Sequence, residues 1–230
     1  MGIDQRLLVI VHAGAGWVMW VLVALSLVAI AIILERAISL MASHDDVRIM
    51  KEDLLAFLSN GDPAGAIERL ETSSSIEARV LIAGLECAEK GAAAAEERMA
   101  STSQLAKLSM EKNLSFLATV GSHAPFVGLL GTVIGIIRAF QALDAAHEQV
   151  SSRLMAEVGE ALVTTAMGLL VALPATAFYN LFQRIIVCRL VRADALSHEV
   201  LAYMKTEPVT WRVPLSEKKR RSAASTSHRG

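Results

Sequence analysis

Three long runs without a charged residue set the terms for this chain. Leu7 to Leu34 contains no Asp, Glu, Lys or Arg, and its densest part is WVMWVLVALSLVAIAIIL, Trp17 to Leu34. Phe116 to Ile137 is a second such run and Ala161 to Phe182 a third. A helix crosses the hydrocarbon core of a bilayer with about 20 mostly apolar residues, and each run meets that length. The chain is 53% hydrophobic, a modest excess for a soluble protein. The clustering carries the argument, because the intervening segments have ordinary soluble composition.

The first run could instead be a secretory signal. It has only Arg6 as a positive leader, it is longer than an apolar signal core of about 7–15 residues, and Glu35-Arg36 follows with no small-residue cleavage site. A retained anchor fits better. Trp17 and Trp20 then lie near one interface, where indoles prefer to sit.

Loop charge sets the orientation. Arg36 to Lys112 holds nine Lys/Arg, and the region after the third run adds Arg184, Arg189, Arg192, Lys205 and Lys218-Lys219-Arg220-Arg221. Asp144 to Ser152 has none. Basic loops stay in the cytoplasm, so the N-terminus and the short loop are expected outside and the large loop and tail inside. The expected organisation is an all-α polytopic membrane protein. It comprises an outer N-terminal segment (1–15), a first span (16–35), a cytoplasmic helical domain (36–115), a second span (116–143), an outer loop (144–152), a third span (153–187), a cytoplasmic helix extension (188–215) and a disordered basic tail (216–230).

Within the cytoplasmic domain, Val47, Met50, Leu54, Leu55 and Leu58 recur at helical spacing. Asn60-Gly61-Asp62-Pro63 breaks the chain, with Pro63 suited to the first turn of the next helix. Ala64 to Leu70 is read as a short helix, Thr72 to Ser75 as a loop, and Ser75 to Ala88 as another helix. From Ala92 there is neither Pro nor Gly until Gly121, so one helix is expected to run on into the second span. Nothing stops a helix between Ala175 and Lys205, and Pro208 and Pro214 are expected to end it. The tail is read as solvated, or as touching anionic lipid through its Lys/Arg cluster.

The spans have distinctive faces. Gly121, Pro125, Gly128, Thr132 and Gly135 follow 4, 3, 4, 3 spacing and share one side of the second helix, with Gly131 in the same segment. Ala161, Thr165, Gly168, Ala172 and Ala175 repeat the pattern in the third. Small residues let helix backbones approach in lipid, where no hydrophobic force draws helices together. These faces therefore pack tightly or border a polar interior. Pro174 costs a backbone hydrogen bond that a membrane helix must make good elsewhere. Glu160 begins the third segment; it is either a helix-start acid held by the dipole or a functional acid facing a pathway. Glu157, one turn earlier, fits the first role. About 140° separates Glu160 from Thr165 around a helix, whereas Thr164 is Glu160's near neighbour.

No Asp or Glu lies in the middle of any span. A carboxylate relay for protons needs one, so a titrating group would have to come from a partner. Cys87 and Cys188 fit no metal or redox spacing and are read as ordinary thiols. No nucleophile–base pair, phosphate loop or metal cluster supports an enzyme, and no cofactor or nucleic-acid partner is expected.

LATVGSHAPFVGLLGTVIGI, Leu117 to Ile136, resembles the second transmembrane signature of the ExbB/TolQ branch of the MotA/TolQ/ExbB proton channels, and GEALVTTAMGLLVALPATAFYN, Gly159 to Asn180, resembles the third. The resemblance is weak over residues 40–105 and in the tail. It implies a homopentamer in the bacterial inner membrane, surrounding a dimer of a single-span partner of the ExbD/TolR kind whose membrane aspartate carries the proton. It implies pore-lining roles for Thr132 and Thr165, a place on the proton path for Glu160, and a force passed to a TonB-like or TolA-like protein; Thr164 joins that path as Glu160's helical neighbour. Gly121, Pro125, Gly128, Gly131, Gly135, Gly168 and Pro174 are the expected packing residues. Two departures stand out. His123 occupies a position that is uncharged in similar proteins and is a candidate pH-sensitive residue, since imidazole titrates near neutrality. Met-Ala-Glu-Val-Gly also precedes Glu160 in place of the more usual Ala-Pro-Gly-Ile-Ala. Two other readings stay open: a structural membrane oligomer that conducts nothing, and a stator of the flagellar class, which usually has a fourth span.

Overall fold

The computed structural model describes residues 16–42, 47–144 and 150–206, all helix and short connections. The helices are α1 (Gly16–Ala42), α2 (Val47–Ser59), α3 (Pro63–Glu71), α4 (Ile76–Leu85), α5 (Ala92–Glu111), α6 (Leu114–Asp144) and α7 (Val150–Thr206), with a 3-10 turn at Ala88–Lys90. The expected outer N-terminal segment, most of the outer loop, Pro208, Pro214 and the basic tail lie outside the described residues.

Three helices are long and apolar enough to cross a membrane: Gly16–Met41, Leu114–Gln141 and, within α7, Leu154–Thr206. The 57 residues of α7 exceed the roughly 20 that a bilayer's hydrocarbon needs, so much of that helix lies outside it. Trp20, Leu27, Phe126, Phe140, Leu162, Leu170 and Leu173 are all exposed. Water would not tolerate so continuous an apolar surface; lipid or another membrane helix does.

Contacts divide the chain into two compact units. The first comprises the described parts of Met1–Ile38 and Glu111–Arg184. Its interior is built from Val18 and Leu22 of α1, Leu117, Val120 and Ala124 of α6, and Ala161, Ala172 and Ala175 of α7, all buried. Alanines and glycines dominate the α6–α7 side of this interior, as expected where helices associate by close packing.

The second comprises the described parts of Ser39–Met110 and Ile185–Gly230. It has the core of a soluble helical domain: Met50, Leu54, Leu70, Leu81, Leu85, Met99, Ile186 and Val200 are buried. Helix starts are capped as their sequences direct. Asp62 accepts a hydrogen bond from Gly65 N at 2.9 Å, ahead of Pro63 in the first turn of α3. Ser75 accepts one from Ala78 N at 3.1 Å. Ser75 is thus the cap of α4, and the helix expected from Ser75 to Ala88 is shorter, ending at Leu85. The Lys51 ammonium pairs with Glu199 of α7, and Lys205 lies 3.8 Å from Glu96 of α5. The buried Arg189 guanidinium donates to the Leu40 carbonyl.

The continuous helix expected from Ala92 into the second span is broken. α5 stops at Glu111 and α6 begins at Leu114. Asn113 between them has φ 63°, the left-handed conformation that terminates many helices and that asparagine tolerates among L residues. Its amide donates to Glu35 Oε2 of α1 at 3.1 Å. A tertiary partner thus holds the residue that ends the helix.

A glycine-lined seam with a paired hydroxyl

α6 and α7 run antiparallel, and their small faces meet along a single register. The positions are best read from what a methyl group at each glycine would strike. At Gly121 it would lie 3.2 Å from Thr176 N; at Gly128, 3.0 Å from Thr164 O and 3.2 Å from Gly168 Cα; at Gly135, 3.3 Å from Ala161 Cα. At Gly168 it would lie 2.7 Å from Ala124 O. Such separations leave no room for a side chain on either helix. Gly121, Gly128, Gly135 and Gly168 are therefore required by close backbone approach. Gly131 faces elsewhere: a methyl there would meet Thr164 and, at 3.3 Å, Val18 of α1. Pro125 is half-buried inside α6 and Pro174 exposed inside α7.

Midway along this seam, the Thr132 and Thr165 hydroxyls hydrogen-bond to one another across the two helices. Both also lie within reach of one acceptor, the Gly128 carbonyl oxygen, at 3.3 Å from Thr132 and 3.1 Å from Thr165; with one proton each, one hydroxyl donates to the carbonyl and the other to its partner. Both threonines are half-buried. Three polar groups thus share one point in an otherwise apolar interior. A hydroxyl can donate once and accept twice, so the cluster keeps capacity for a further hydrogen bond.

Thr164 is adjacent in sequence and differs in surroundings. It is fully buried, its methyl side packs at Gly131, and its hydroxyl donates back to the Glu160 carbonyl at 2.9 Å. The Glu160 side chain is exposed. The structure therefore brings Thr132 and Thr165 together and places Thr164 at Gly131 instead. Because α7 begins by Val150, Glu157 and Glu160 lie two turns or more inside the helix. The helix dipole acts within the first turn, so a helix-start role accounts for neither acid.

His123 lies on the opposite side of α6, exposed, with Nδ1 3.0 Å from the Thr119 carbonyl and 2.8 Å from the Ser122 hydroxyl. Sequence reading passed over the ion pair of Arg138 Nη1 with Glu157 Oε2, 3.5 Å apart across the seam. A lone arginine at the end of an apolar run was the available signal. Among the described residues, no group of three His, Cys, Asp or Glu side chains converges as metal ligands would.

The profile of the MotA/TolQ/ExbB proton channel family matches residues 72–193, which include the whole seam. The chain belongs to the MotA/TolQ/ExbB family. Among its relatives, the biopolymer transport protein ExbB of Xanthomonas campestris is 38% identical over 109 residues, 47% of this chain and 42% of that protein. The Tol-Pal system protein TolQ of Pseudomonas aeruginosa is 33% identical over 135 residues, 54% of each. The biopolymer transport protein ExbB-like 3 of Synechocystis is 34% identical over 169 residues, 70% of this chain and 78% of that protein. The chain thus spans about half the length of the first two. Family membership and the three apolar helices together make it a membrane protein.

Proposed function

We propose that this chain is a stator-type subunit of a proton-driven motor in the bacterial inner membrane. In this reading five copies surround a dimer of a single-span partner of the ExbD/TolR kind. The N-terminus faces the periplasm, the C-terminus the cytoplasm, and the Thr132–Thr165 seam borders the proton path. The observation that carries the reading is the hydroxyl pair sharing the Gly128 carbonyl. It is a polar point at membrane depth, built by two spans that match a proton channel family. Polar groups are costly in hydrocarbon and usually border a pathway.

The threonines cannot themselves carry a proton as a carboxylate does. Neither span holds an Asp or Glu at mid-depth, so the titrating acid is supplied by the partner. The hydroxyls then hydrogen-bond that acid or its water as it is loaded and unloaded, and Glu160, exposed beside the seam, serves the outer end of the path. The force passes to a TonB-like protein for outer-membrane import or to a TolA-like protein of the Tol-Pal system; a biopolymer transport protein and a Tol-Pal system protein are both similar to this chain.

The complex purified through a tag on this chain and placed in liposomes tests the reading. Proton flux under an imposed pH gradient is expected to fall about tenfold or more in Thr132→Val and in Thr165→Val, with the oligomer intact and Thr→Ser variants active. Each single variant leaves the other hydroxyl bonded to Gly128 O, so assembly is preserved. Normal flux in both valine variants would leave the seam as packing alone, the behaviour of a non-conducting scaffold.

A further inference from the structure

We infer that Arg138 is a positioning residue that compensates the charge of Glu157 at the end of the seam, leaving Glu160 as the uncompensated acid there. The inference rests on the proton-path reading above and adds a residue pair to it.

The seam's register continues one step beyond the small residues. Thr132 meets Thr165, Gly135 meets Ala161, and Arg138 meets Glu157. Arg138 lies within the apolar stretch Leu114–Gln141 of α6. Its side chain is 31% accessible and that of Glu157 17%, so both charges are partly withdrawn from solvent within the chain. Charged groups at a membrane helix's end are tolerated when they pair or reach water, and this pair does the former. Gly135 and Ala161, one step before the pair, hold the two helices close at this end of the seam.

Glu157 and Glu160 are three residues apart and therefore neighbours on α7. Their situations diverge. Glu157 is covered and faces the guanidinium; Glu160 is exposed, with no ion-pair partner among the described residues. Without Arg138, two like charges would stand side by side at the end of the path. With it, one acid is electrically silent and the other remains available. A simple staple would need the ion pair itself, which either single variant or the double variant removes. Charge compensation needs that their charges sum to zero, and the two roles part in the variants.

The experiment uses the same tagged complex in liposomes, with assembly followed by native gel. Arg138→Gln is expected to lower proton flux about tenfold, because it leaves Glu157 uncompensated beside Glu160. Glu157→Gln is expected to lower it by a similar factor, because it leaves a lone cation at the mouth. The double variant Arg138→Gln/Glu157→Gln is expected to return to within about twofold of the parent, and Arg138→Lys to conduct normally. Wild-type flux in Arg138→Gln overturns the inference. So does a double variant no better than Arg138→Gln, which is what a staple predicts. If Arg138→Gln fails to assemble, the double variant decides alone: assembly with flux within about twofold of the parent supports the inference, and flux about tenfold lower or failed assembly overturns it. Thr132→Val measured in parallel separates the two levels: normal flux there removes the path reading, whereas blocked flux there with no rescue in the double variant removes only the role of Arg138.

Discussion

The α6–α7 seam and the α2–α5 unit are both helix-on-helix packing, yet they are made of different residues. Across the seam the touching groups are Gly121, Gly128, Gly168, Ala161 and two threonines. In the other unit they are Met50, Leu54, Leu70, Leu81 and Met99. The α2–α5 core is driven by removal of apolar side chains from water, which rewards bulk. Lipid tails already solvate bulk, so the seam gains only from close contact and from hydrogen bonds. It follows that the seam should fail when anything is added and the soluble core when anything is removed.

Adding bulk to the seam has the largest expected effect. A methyl at Gly168 would lie 2.7 Å from Ala124 O, a backbone atom that cannot swing aside. Gly168→Val is expected to prevent recovery of the assembled complex from detergent, since overpacking costs about 1–3 kcal/mol or more even in adaptable cores. Recovery at parental yield would show that the helices are free to separate.

Removing bulk from the soluble core comes next. Leu81 and Leu54 are buried, so Leu81→Ala or Leu54→Ala is expected to cost about 2–5 kcal/mol in thermal or denaturant unfolding of that unit. The same truncation at the exposed Leu170 of α7 should leave soluble-unit melting unchanged. Equal effects would erase the contrast.

At the join between α5 and α6, Asn113→Ala places an alanine at φ 63° and removes the bond to Glu35. A loss of about 1–2 kcal/mol is expected, with Asn113→Gly losing less because glycine adopts that φ freely. If Ala and Gly are equivalent in melting, the left-handed turn is not what separates the helices. The smallest effect belongs to the Lys51–Glu199 pair, whose side chains are 45% and 37% accessible. Lys51→Ala is expected to cost no more than about 1 kcal/mol, and less in high salt, as exposed ion pairs do.

Parts of this arrangement were legible in the residues. The 4, 3, 4, 3 spacing around Thr132 and Thr165 placed each threonine on a small face, because helical periodicity is a property of one helix. Pro63 and Ser75 announced helix starts through local chemistry. The break at Asn113 was not legible, because nothing within Ala92–Val120 is a strong helix breaker; the turn is fixed by Glu35, which lies far away in sequence. Thr164 and Thr165 are likewise chemically alike in the sequence. Spacing sets them about 100° apart on α7, but only the packing shows that one lies at Gly131, near Val18 of α1, while the other meets Thr132. The Arg138–Glu157 pair escaped because each residue, taken alone, looks like an ordinary charge at the end of an apolar run.

The sequence by itself determined that the chain has three membrane-length helices, that two of them present faces without bulk, and that neither carries an acid at mid-depth. These follow from length, periodicity and composition, which act within single helices. The tertiary structure decided which small residue meets which, that the two hydroxyls share one carbonyl, and that Arg138 covers Glu157 while Glu160 stays open. Those outcomes depend on the register between α6 and α7, and register is set by summed contacts along the whole seam rather than by any residue's own preference.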